Sequence, residues 1–296
     1  MKRVFYIVGA TAVGKSELAA EVAQQIGSDV VSADAFQIYR GLDLLTAKPD
    51  SETRAKARHH LIGIIPLSEE MNVEKYRAAA DAIFQHGKPV IVVGGTGLYV
   101  KALTHGVAKL PSAHQELREK LDRATTEELS RSLRALDPFG AEKIDAQNRR
   151  RLIRAVEVCL LTGKPFSEKR TEWNATVPAN GILLDRDRTE LYARINQRVE
   201  EMFAAGVVDE VRAAKNIGPT AEKTLGLREI QVLIAGEISQ AECISKIQQA
   251  TRRYAKRQLT WFRRQTNFPS LNLSAHDPAE AVELISQSAS RVFARG

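Results

Sequence analysis

The chain has 296 residues, of which 44% are hydrophobic and 27% charged, so its composition excludes a disordered polymer and predicts a globular protein with a substantial core. Size alone does not separate one large domain from two. The 43 lysines and arginines exceed the 36 aspartates and glutamates by a net charge of +7, which favours an anionic partner without identifying it.

The first predicted elements enclose a glycine-rich segment. A strand is predicted at residues 3–8, where residues 4–8 form a continuous apolar run typical of a buried parallel strand. Residues 15–26 combine helix formers with one apolar face. Between them lies the phosphate-loop pattern Gly9-Ala10-Thr11-Ala12-Val13-Gly14-Lys15-Ser16. In such a loop, backbone amides and a helix N-terminus face an anion, while Lys15 reaches the outer phosphates and Ser16 binds Mg²⁺. The pattern therefore predicts a polyphosphate site without saying which polyphosphate binds.

Further strands are predicted at residues 29–33, 89–93 and 182–184, with helices near residues 51–58, 72–86 and 97–104. Alternating strands and helices indicate an α/β fold of the P-loop NTPase-like kind, with a parallel sheet flanked by helices. Ligands of such sheets bind beyond the carboxyl ends of the strands. Three segments are expected to meet there: the phosphate loop, Ser32-Ala33-Asp34 and Gly94-Gly95-Thr96-Gly97.

The pattern changes after residue 110. Residues 111–163 have helical spacing and no good strand. The sequence thus predicts a catalytic core domain of residues 1–110 and 181–296, interrupted by an all-helical insertion domain at residues 111–180. From residue 187 the core is expected to be almost entirely helical, with breaks at Gly218-Pro219 and Asn267-Phe268-Pro269.

Cys159 and Cys243 are the only cysteines, and both lie in predicted helices. They are expected to be small core residues, since two isolated cysteines suggest neither a disulfide framework nor a zinc cluster. No apolar run reaches the ~18–20 residues that a membrane span requires. The early strand also leaves no room for a signal peptide, so we expect a cytoplasmic protein with no membrane partner.

Asp34 follows the second strand beside the phosphate loop, and three roles are open to it. An acid at this place can help to hold Mg²⁺ in a kinase or NTPase, accept a proton from a nitrogen nucleophile, or cap the next helix. The glycines around Thr96 permit a tight turn that brings its hydroxyl close to a ligand, although glycine-rich turns are common. His59-His60 lacks partners at metal-ligand spacing and is expected to be structural.

Two basic segments stand apart from the rest of the chain. The first, Gln147-Asn148-Arg149-Arg150-Arg151 followed by Arg154, lies on a predicted helix of the insertion. The second, residues 252–264, presents its cations away from an apolar helix face that contains Tyr254 and Trp261. A solvated helix face is the alternative, but no acid interrupts the second segment, so we predict a track for a nucleic-acid backbone with Trp261 in the core.

Together these segments resemble the bacterial tRNA dimethylallyltransferases, and the resemblance covers nearly the whole chain. Residues 32–43 and residues 254–263 are highly specific in combination, whereas the phosphate loop alone is not. Further matches lie at residues 46–49, 94–99, 145–152 and 191–199.

The resemblance implies transfer of a dimethylallyl group from dimethylallyl diphosphate to the N6 amine of adenosine 37, adjacent to the tRNA anticodon. Asp34 matches the family's general base. The diphosphate would lie against the amides of residues 11–16 and leave as pyrophosphate, giving N6-isopentenyladenosine. Its charge would be neutralised by Lys15, by Mg²⁺ on Ser16 and by Arg198.

The resemblance also implies contacts to the anticodon stem-loop from both the core and the insertion. The matching positions are Asp34, Ala35, Phe36, Gln37, Thr96, Arg118, Gln147, Asn148, Arg149, Arg150, Arg151 and Arg228. Thr96 is implied to take part in catalysis as well. Departures from the family pattern leave details of RNA contact open; they are Ala35, Leu45, Leu227 and Glu229.

Other functions explain less of the sequence. A small-molecule kinase accounts for the phosphate loop but for neither basic segment. A non-catalytic RNA-binding protein with a nucleotide switch leaves Asp34 without a role, and an enzyme that prenylates free adenine nucleotides has little need of a helical insertion. We therefore expect a tRNA prenyltransferase that works as a monomer.

Overall fold

The computed structural model describes residues 3–108, 110–171 and 180–295, and this part of the chain contains one six-stranded sheet. The strands are β1 (Val4–Gly9), β2 (Asp29–Ser32), β3 (His59–His60), β4 (Val90–Gly94), β5 (Gly181–Asp185) and β6 (Ser270–Asn272). Their order is β3-β2-β4-β1-β5-β6, and all neighbouring strands are parallel. The predicted parallel α/β fold is confirmed.

Helices connect the strands and form the insertion. The first four, α1 (Lys15–Ile26), α2 (Ser51–Ala55), α3 (Val73–Phe84) and α4 (Gly97–His105), alternate with β1 to β4. Next come α5 (Gln115–Arg123), α6 (Thr126–Leu136), α7 (Pro138–Lys143), α8 (Arg149–Thr162) and α9 (Phe166–Thr171). After β5 follow α10 (Arg188–Ala204), α11 (Val207–Ala213), α12 (Leu227–Ile234), α13 (Gln240–Gln265) and α14 (Pro278–Ala294).

The chain divides into two compact units. One consists of Met1–Thr104 and Pro178–Gly296 and contains the sheet, and the other is His105–Val177. The second unit contains α5 to α9. Residues 172–179 of the predicted insertion lie outside the described residues.

Two short edge strands differ from the sequence-based expectation. The helix expected near residues 51–58 ends at Ala55, and His59-His60 then pairs with β2. The His60 ring is hydrogen-bonded to Asp29 at 2.8 Å, which agrees with a structural role. β6 pairs with β5 in a region expected to be helical. Strands of two or three residues are too short to show an alternating pattern. They form because their backbone groups pair with the free edge of a neighbouring strand.

The central strand β1 is covered on both faces. Val4, Tyr6 and Val8 pack into one apolar cluster, and Phe5 and Ile7 pack into another. Since successive side chains of a strand point to opposite faces, this double burial explains the uninterrupted apolar run near the N-terminus.

The two cysteines are buried and unpaired, as predicted for Cys159 and Cys243. Among the described residues, no helix combines the length and the apolar character needed to cross a membrane.

The helical unit contains a buried carboxylate beside its own apolar cluster. The Glu157 side chain is fully buried and accepts hydrogen bonds from Arg118 at 2.9 and 3.1 Å, from Arg154 at 2.6 Å and from the His114 amide at 2.9 Å. Burial alone would raise the pKa of Glu157, but these hydrogen bonds outweigh burial and hold the pKa below its ordinary value. The network therefore stabilises the ionised carboxylate.

Replacing Glu157 by glutamine is expected to lower the free energy of unfolding at pH 7 by about 2 kcal/mol, less than for a wholly buried pair because Arg118 is partly exposed. A lowered folded-state pKa stabilises the fold above the unfolded-state pKa, so the difference from the parent should shrink as the pH falls below about 4.5. Denaturant titrations at pH 7 and pH 4 measure it. The exposed Glu119→Gln control should change stability by less than about 0.5 kcal/mol. Equal stability of Glu157→Gln and parent at pH 7 would contradict the argument.

Candidate active site

The phosphate loop joins β1 to α1 with two residues in the left-handed region. Gly14 has a φ of 101° and Ala12 a φ of 63°. Because α1 begins at Lys15, the amides of its first turn lack acceptors within the helix and remain available to an anion.

Two amides of the loop already have acceptors in the protein. The Thr11 amide donates to Gln258 Oε1 at 2.9 Å, and the Val13 amide donates to the Ala10 carbonyl at 3.4 Å. The expectation that all amides of residues 11–16 face the ligand is therefore corrected for these two. The helix N-terminus itself keeps donors that can bind an anion.

Two cations and one carboxylate share the space around the loop. Lys15 Nζ donates to the Ala10 carbonyl at 2.8 Å. Burial lowers the pKa of Lys15 to about 8, the charge of Asp34 opposes this shift, and Arg198 adds to it. Arg198 of α10 donates to the Thr11 hydroxyl at 3.3 Å, and burial lowers its pKa too. A bound anion would relieve the cost of burying both cations.

These groups border a cavity of about 430 Å³. Its wall includes the phosphate loop, the end of β2, residues 46–50 and part of α10. Charged and hydroxyl side chains predominate, among them Lys15, Ser16, Ser32, Lys48, Arg194 and Arg198. Four acids also line the cavity, namely Glu17, Asp34, Asp50 and Glu201. The part beside the phosphate loop, where Lys15 and Arg198 lie, therefore suits an anionic ligand best.

Asp34 lies directly after β2 and lines this cavity and a smaller one. Its Oδ1 accepts hydrogen bonds from the amides of Phe36 at 2.9 Å and Gln37 at 3.3 Å. These bonds cap a turn rather than a helix. Asp34 Oδ2 accepts no hydrogen bond from the residues that the structure describes, so it is available to a ligand.

The smaller cavity, of about 70 Å³, is mainly apolar. Its apolar lining residues are Phe36, Leu45, Ile195, Val199, Met202, Leu225 and Ile247. It adjoins the polar cavity, because Thr11, Asp34 and Arg198 line both. A ligand at this place therefore meets charged groups on one side and hydrocarbon on the other.

The glycine turn after β4 places Thr96 beside the chain segment that follows β2. The Thr96 amide donates to the Ala33 carbonyl at 3.0 Å, and its hydroxyl accepts from the Ala35 amide at 2.9 Å. A Cβ atom on Gly94 would lie 2.3 Å from the Ala33 carbonyl oxygen, so only glycine permits this approach.

Two arginines that the sequence analysis did not single out donate to backbone carbonyls of the phosphate loop. Arg186 Nε donates to the Val13 carbonyl at 2.9 Å, and Arg194 Nε donates to the Ala12 carbonyl at 3.0 Å. Arg194 could have been predicted, because it lies one helical turn before Arg198 and therefore on the same face of the helix.

Helix α13 also contributes two residues that the sequence analysis missed. Tyr254, expected only on an apolar face, lines the smaller cavity with its hydroxyl near the Thr96 side chain. Burial raises its pKa, and the charge of Asp34 raises it further, so the hydroxyl stays neutral. Gln258 lies between the phosphate loop and Gly95. Trp261 packs against Gly97, where a Cβ atom would lie 2.4 Å from its ring.

The remaining core residues assigned to RNA contact differ in exposure. Gln37 is buried, with its amide nitrogen on the Ala47 carbonyl at 3.1 Å and its amide oxygen on the Ser32 hydroxyl at 3.1 Å. Its polar atoms thus fasten the neighbouring loop to the end of β2. Arg228 is exposed in the first turn of α12.

The residues of the helical unit that were assigned to RNA contact are also of two kinds, some bound within the protein and some exposed. Arg149 donates to backbone carbonyls at the C-terminal end of α5, Asn148 caps α8, and Arg118 is bound to the buried carboxylate described above. The exposed members are Gln147, Arg150 and Arg151.

The basic segment of α13 is less continuous than expected. Arg263 pairs with Asp185 of β5, and Arg252 donates to Asn196 of α10. These partners are distant in sequence, which is why the segment looked unneutralised. The other cations of the segment, Arg253, Lys256, Arg257 and Arg264, are exposed.

The described residues of the site offer few ligands for a metal ion. Residues 3–108, 110–171 and 180–295 contain no cluster of three histidine, cysteine, aspartate or glutamate residues able to hold one. Mg²⁺ needs few protein ligands when phosphate oxygens and water complete its shell, and the Ser16 hydroxyl lines the polar cavity. The donor set therefore suits Mg²⁺ bound together with a phosphate ligand.

A parallel sheet with a phosphate loop after its central strand and an acidic residue after the second defines a P-loop NTPase-like protein. Comparison with known proteins identifies its family. A family model described as IPP transferase matches residues 37–265, and one described as isopentenyl transferase matches residues 2–69. The chain belongs to this family, that of the tRNA dimethylallyltransferases, and is a prenyltransferase.

The relatives are similar over almost their whole length. The tRNA dimethylallyltransferase of Akkermansia muciniphila is 39% identical over 281 residues, which cover 94% of this chain and 96% of the relative. That of Geobacter sulfurreducens is 42% identical over 279 residues, with coverages of 88% and 89%.

Solved structures agree with this assignment. The full-length tRNA isopentenylpyrophosphate transferase of Bacillus halodurans is 31% identical with a TM-score of 0.72, and the match covers 100% of this chain and 98% of that one. A eukaryotic dimethylallyltransferase acting on tRNA is 25% identical with a TM-score of 0.81, covering 99% and 79%.

Proposed function

We propose that the chain transfers a dimethylallyl group from dimethylallyl diphosphate to the N6 amine of adenosine 37 in tRNA, beside the anticodon. The observation that carries the proposal is the position of Asp34, where a polar cavity with Lys15 and Arg198 on its wall meets an apolar one. A substrate with a diphosphate head and a branched hydrocarbon tail needs these two environments side by side. The similarity to tRNA dimethylallyltransferases supports the choice of acceptor.

The diphosphate is bound by the N-terminus of α1, Lys15 and Arg198. As the N6 nitrogen forms its bond to the allylic carbon, the bond from that carbon to the diphosphate oxygen breaks. Negative charge then grows on the leaving pyrophosphate, where the two cations stabilise it. Mg²⁺ held by the Ser16 hydroxyl would supply further positive charge there.

The proton lost by the N6 amine passes to Asp34. Its Oδ2 atom is the carboxylate oxygen without a hydrogen bond from the described residues, while Oδ1 keeps the turn in place. The proposed catalytic set also includes Thr96, because its hydroxyl is bonded to the residue next to Asp34. The products are N6-isopentenyladenosine and pyrophosphate.

The apolar cavity would hold the dimethylallyl tail. Leu45, Val199 and Met202 are among its lining residues. Hydrocarbon walls favour the tail over water, which would otherwise compete with adenosine for the allylic carbon. Leu45 therefore has a proposed role at a position that departs from the family pattern.

RNA binding is proposed for the exposed cations. In the helical unit these are Arg150 and Arg151, and on α13 they are Arg253, Lys256, Arg257 and Arg264. Exposed arginines and lysines bind phosphates at little desolvation cost, whereas Arg149 and Arg263 are already engaged. The target base must leave its stack to reach Asp34, as base-modifying enzymes require.

The proposal is tested by incubating the protein with Mg²⁺, labelled dimethylallyl diphosphate and unmodified tRNA, then digesting the RNA. Mass spectrometry is expected to find N6-isopentenyladenosine only when intact tRNA is present, and at adenosine 37 in sequenced fragments. ATP consumption without transfer would favour a kinase. Product with free adenine nucleotides alone would exclude tRNA as the acceptor.

A further inference from the structure

Gln258 of α13 joins the two loops that border the proposed diphosphate site. Its Oε1 accepts from the Thr11 amide at 2.9 Å, and its Nε2 donates to the Gly95 carbonyl at 2.9 Å. The residue is only 6% exposed. Leaving a buried amide or carbonyl unpaired is costly, so this bridge restricts the backbone of both loops.

The surroundings of the bridge leave little freedom. A Cβ atom on Gly95 would lie 2.1 Å from Gln258 Nε2, so any larger residue would displace the side chain. The hydroxyl of Tyr254, one turn earlier on α13, lies near the side chains of Gln258 and Thr96. Elsewhere on the same helix, Gln248 donates to α10 at 3.2 and 3.3 Å. The bridge is thus built on a helix that is held in place independently.

We propose that Gln258 is a positioning residue for the diphosphate site, an inference that rests on the proposed function. It holds the Thr11 amide away from the ligand and fixes the loop where the Thr11 hydroxyl meets Arg198. Through Gly95 it also fixes the turn that carries Thr96. Its effect therefore falls on diphosphate binding and on the alignment of the reacting groups, and not on RNA affinity.

The test compares Gln258→Met with Gln248→Met. Methionine keeps the approximate volume of glutamine but removes both hydrogen bonds. The control removes interhelical hydrogen bonds of the same residue type from the same helix. Calorimetric titration with inorganic pyrophosphate and Mg²⁺ is expected to show a Kd raised about ten-fold by Gln258→Met and changed less than about two-fold by Gln248→Met.

Kinetic constants and tRNA affinity distinguish a positioning role of Gln258 from a general loss of stability. In Gln258→Met the KM for dimethylallyl diphosphate should rise and kcat should fall, with the Kd for tRNA unchanged. Pyrophosphate binding does not depend on prenyl transfer. A parent protein that transfers no prenyl group would therefore reject the proposed function, whereas equal pyrophosphate affinity of parent and Gln258→Met would overturn the role of Gln258.

Hydrogen exchange tests the bridge without relying on a variant that folds. In the ligand-free parent protein, the Thr11 amide should exchange slowly although it lies in a loop, because it donates to a buried acceptor. Where Gln258→Met is folded, that amide should exchange faster while the α1 amides keep their protection. Rapid exchange of the Thr11 amide in the parent would overturn the inference.

Discussion

Asp34→Asn is expected to lower kcat for prenyl transfer by about 10² to 10⁴-fold, the usual contribution of a general base. An amide cannot accept the proton that the N6 amine loses. Its side-chain oxygen can still accept from the amides of Phe36 and Gln37, so the turn after β2 should persist. Single-turnover transfer and tRNA binding by filter retention measure the two effects separately, and the Kd for tRNA should stay close to that of the parent.

Two further variants sharpen this experiment. Asp34→Ala removes the turn-capping oxygen as well as the base, and any extra loss of tRNA affinity relative to Asp34→Asn reports on the turn. Asp29→Asn is the matched control, because Asp29 lies at the other end of the same strand and pairs with His60. It should retain full kcat. Parallel losses of turnover and tRNA binding in Asp34→Asn would argue against a general base.

Lys15→Met is expected to raise the Kd for pyrophosphate by about 10 to 100-fold and to lower kcat strongly, because a charge-assisted hydrogen bond to the leaving group is lost. Methionine retains most of the side-chain volume in the buried site. Calorimetry with pyrophosphate and Mg²⁺ measures the affinity. Lys75→Met, which changes an exposed lysine, should leave affinity unchanged. An unaltered Kd in Lys15→Met would remove Lys15 from the site.

The same residue predicts a pH dependence. Since burial lowers the pKa of Lys15 to about 8, the free protein loses this charge as the pH rises through 8, and pyrophosphate affinity should fall. Bound anion favours the ammonium, so binding above pH 8 should take up a proton, which titrations in buffers of different ionisation enthalpy detect. Asp34 raises the pKa of Lys15, so Asp34→Asn should move the step to lower pH. A pyrophosphate affinity that does not change between pH 7 and pH 9 would contradict the lowered pKa of Lys15.

Much of the core could be predicted because its signals are local. The apolar run of β1, the glycine spacing of the phosphate loop and the position of Asp34 after β2 are all contained in short segments. The edge strands β3 and β6 could not be predicted from so few residues, because each depends on a neighbouring strand far away in the sequence.

The supports of the site were missed for the same reason. Nothing in the sequence around Gln258 indicates that its side chain reaches Thr11, and Arg186 shows no local sign of binding the Val13 carbonyl. The sequence shows where basic residues cluster, but not whether each of them binds RNA or another part of the protein. Arg149 and Arg263 belong to segments assigned to RNA, yet each is engaged within the protein.

The chain order of the sheet has a consequence for synthesis on the ribosome. β1 lies between β4 and β5, and β5 follows the helical unit, so a nascent chain that stops before β5 leaves one edge of its central strand unpaired. Three side chains that bind the backbone of the phosphate loop are synthesised later still: Arg186, Arg194 and Gln258. At ordinary translation rates, the time between the synthesis of β1 and that of Gln258 is on the order of tens of seconds. The helical unit is continuous in sequence and has its own apolar cluster, so it can fold meanwhile. Anion binding is then among the last properties that the newborn chain acquires.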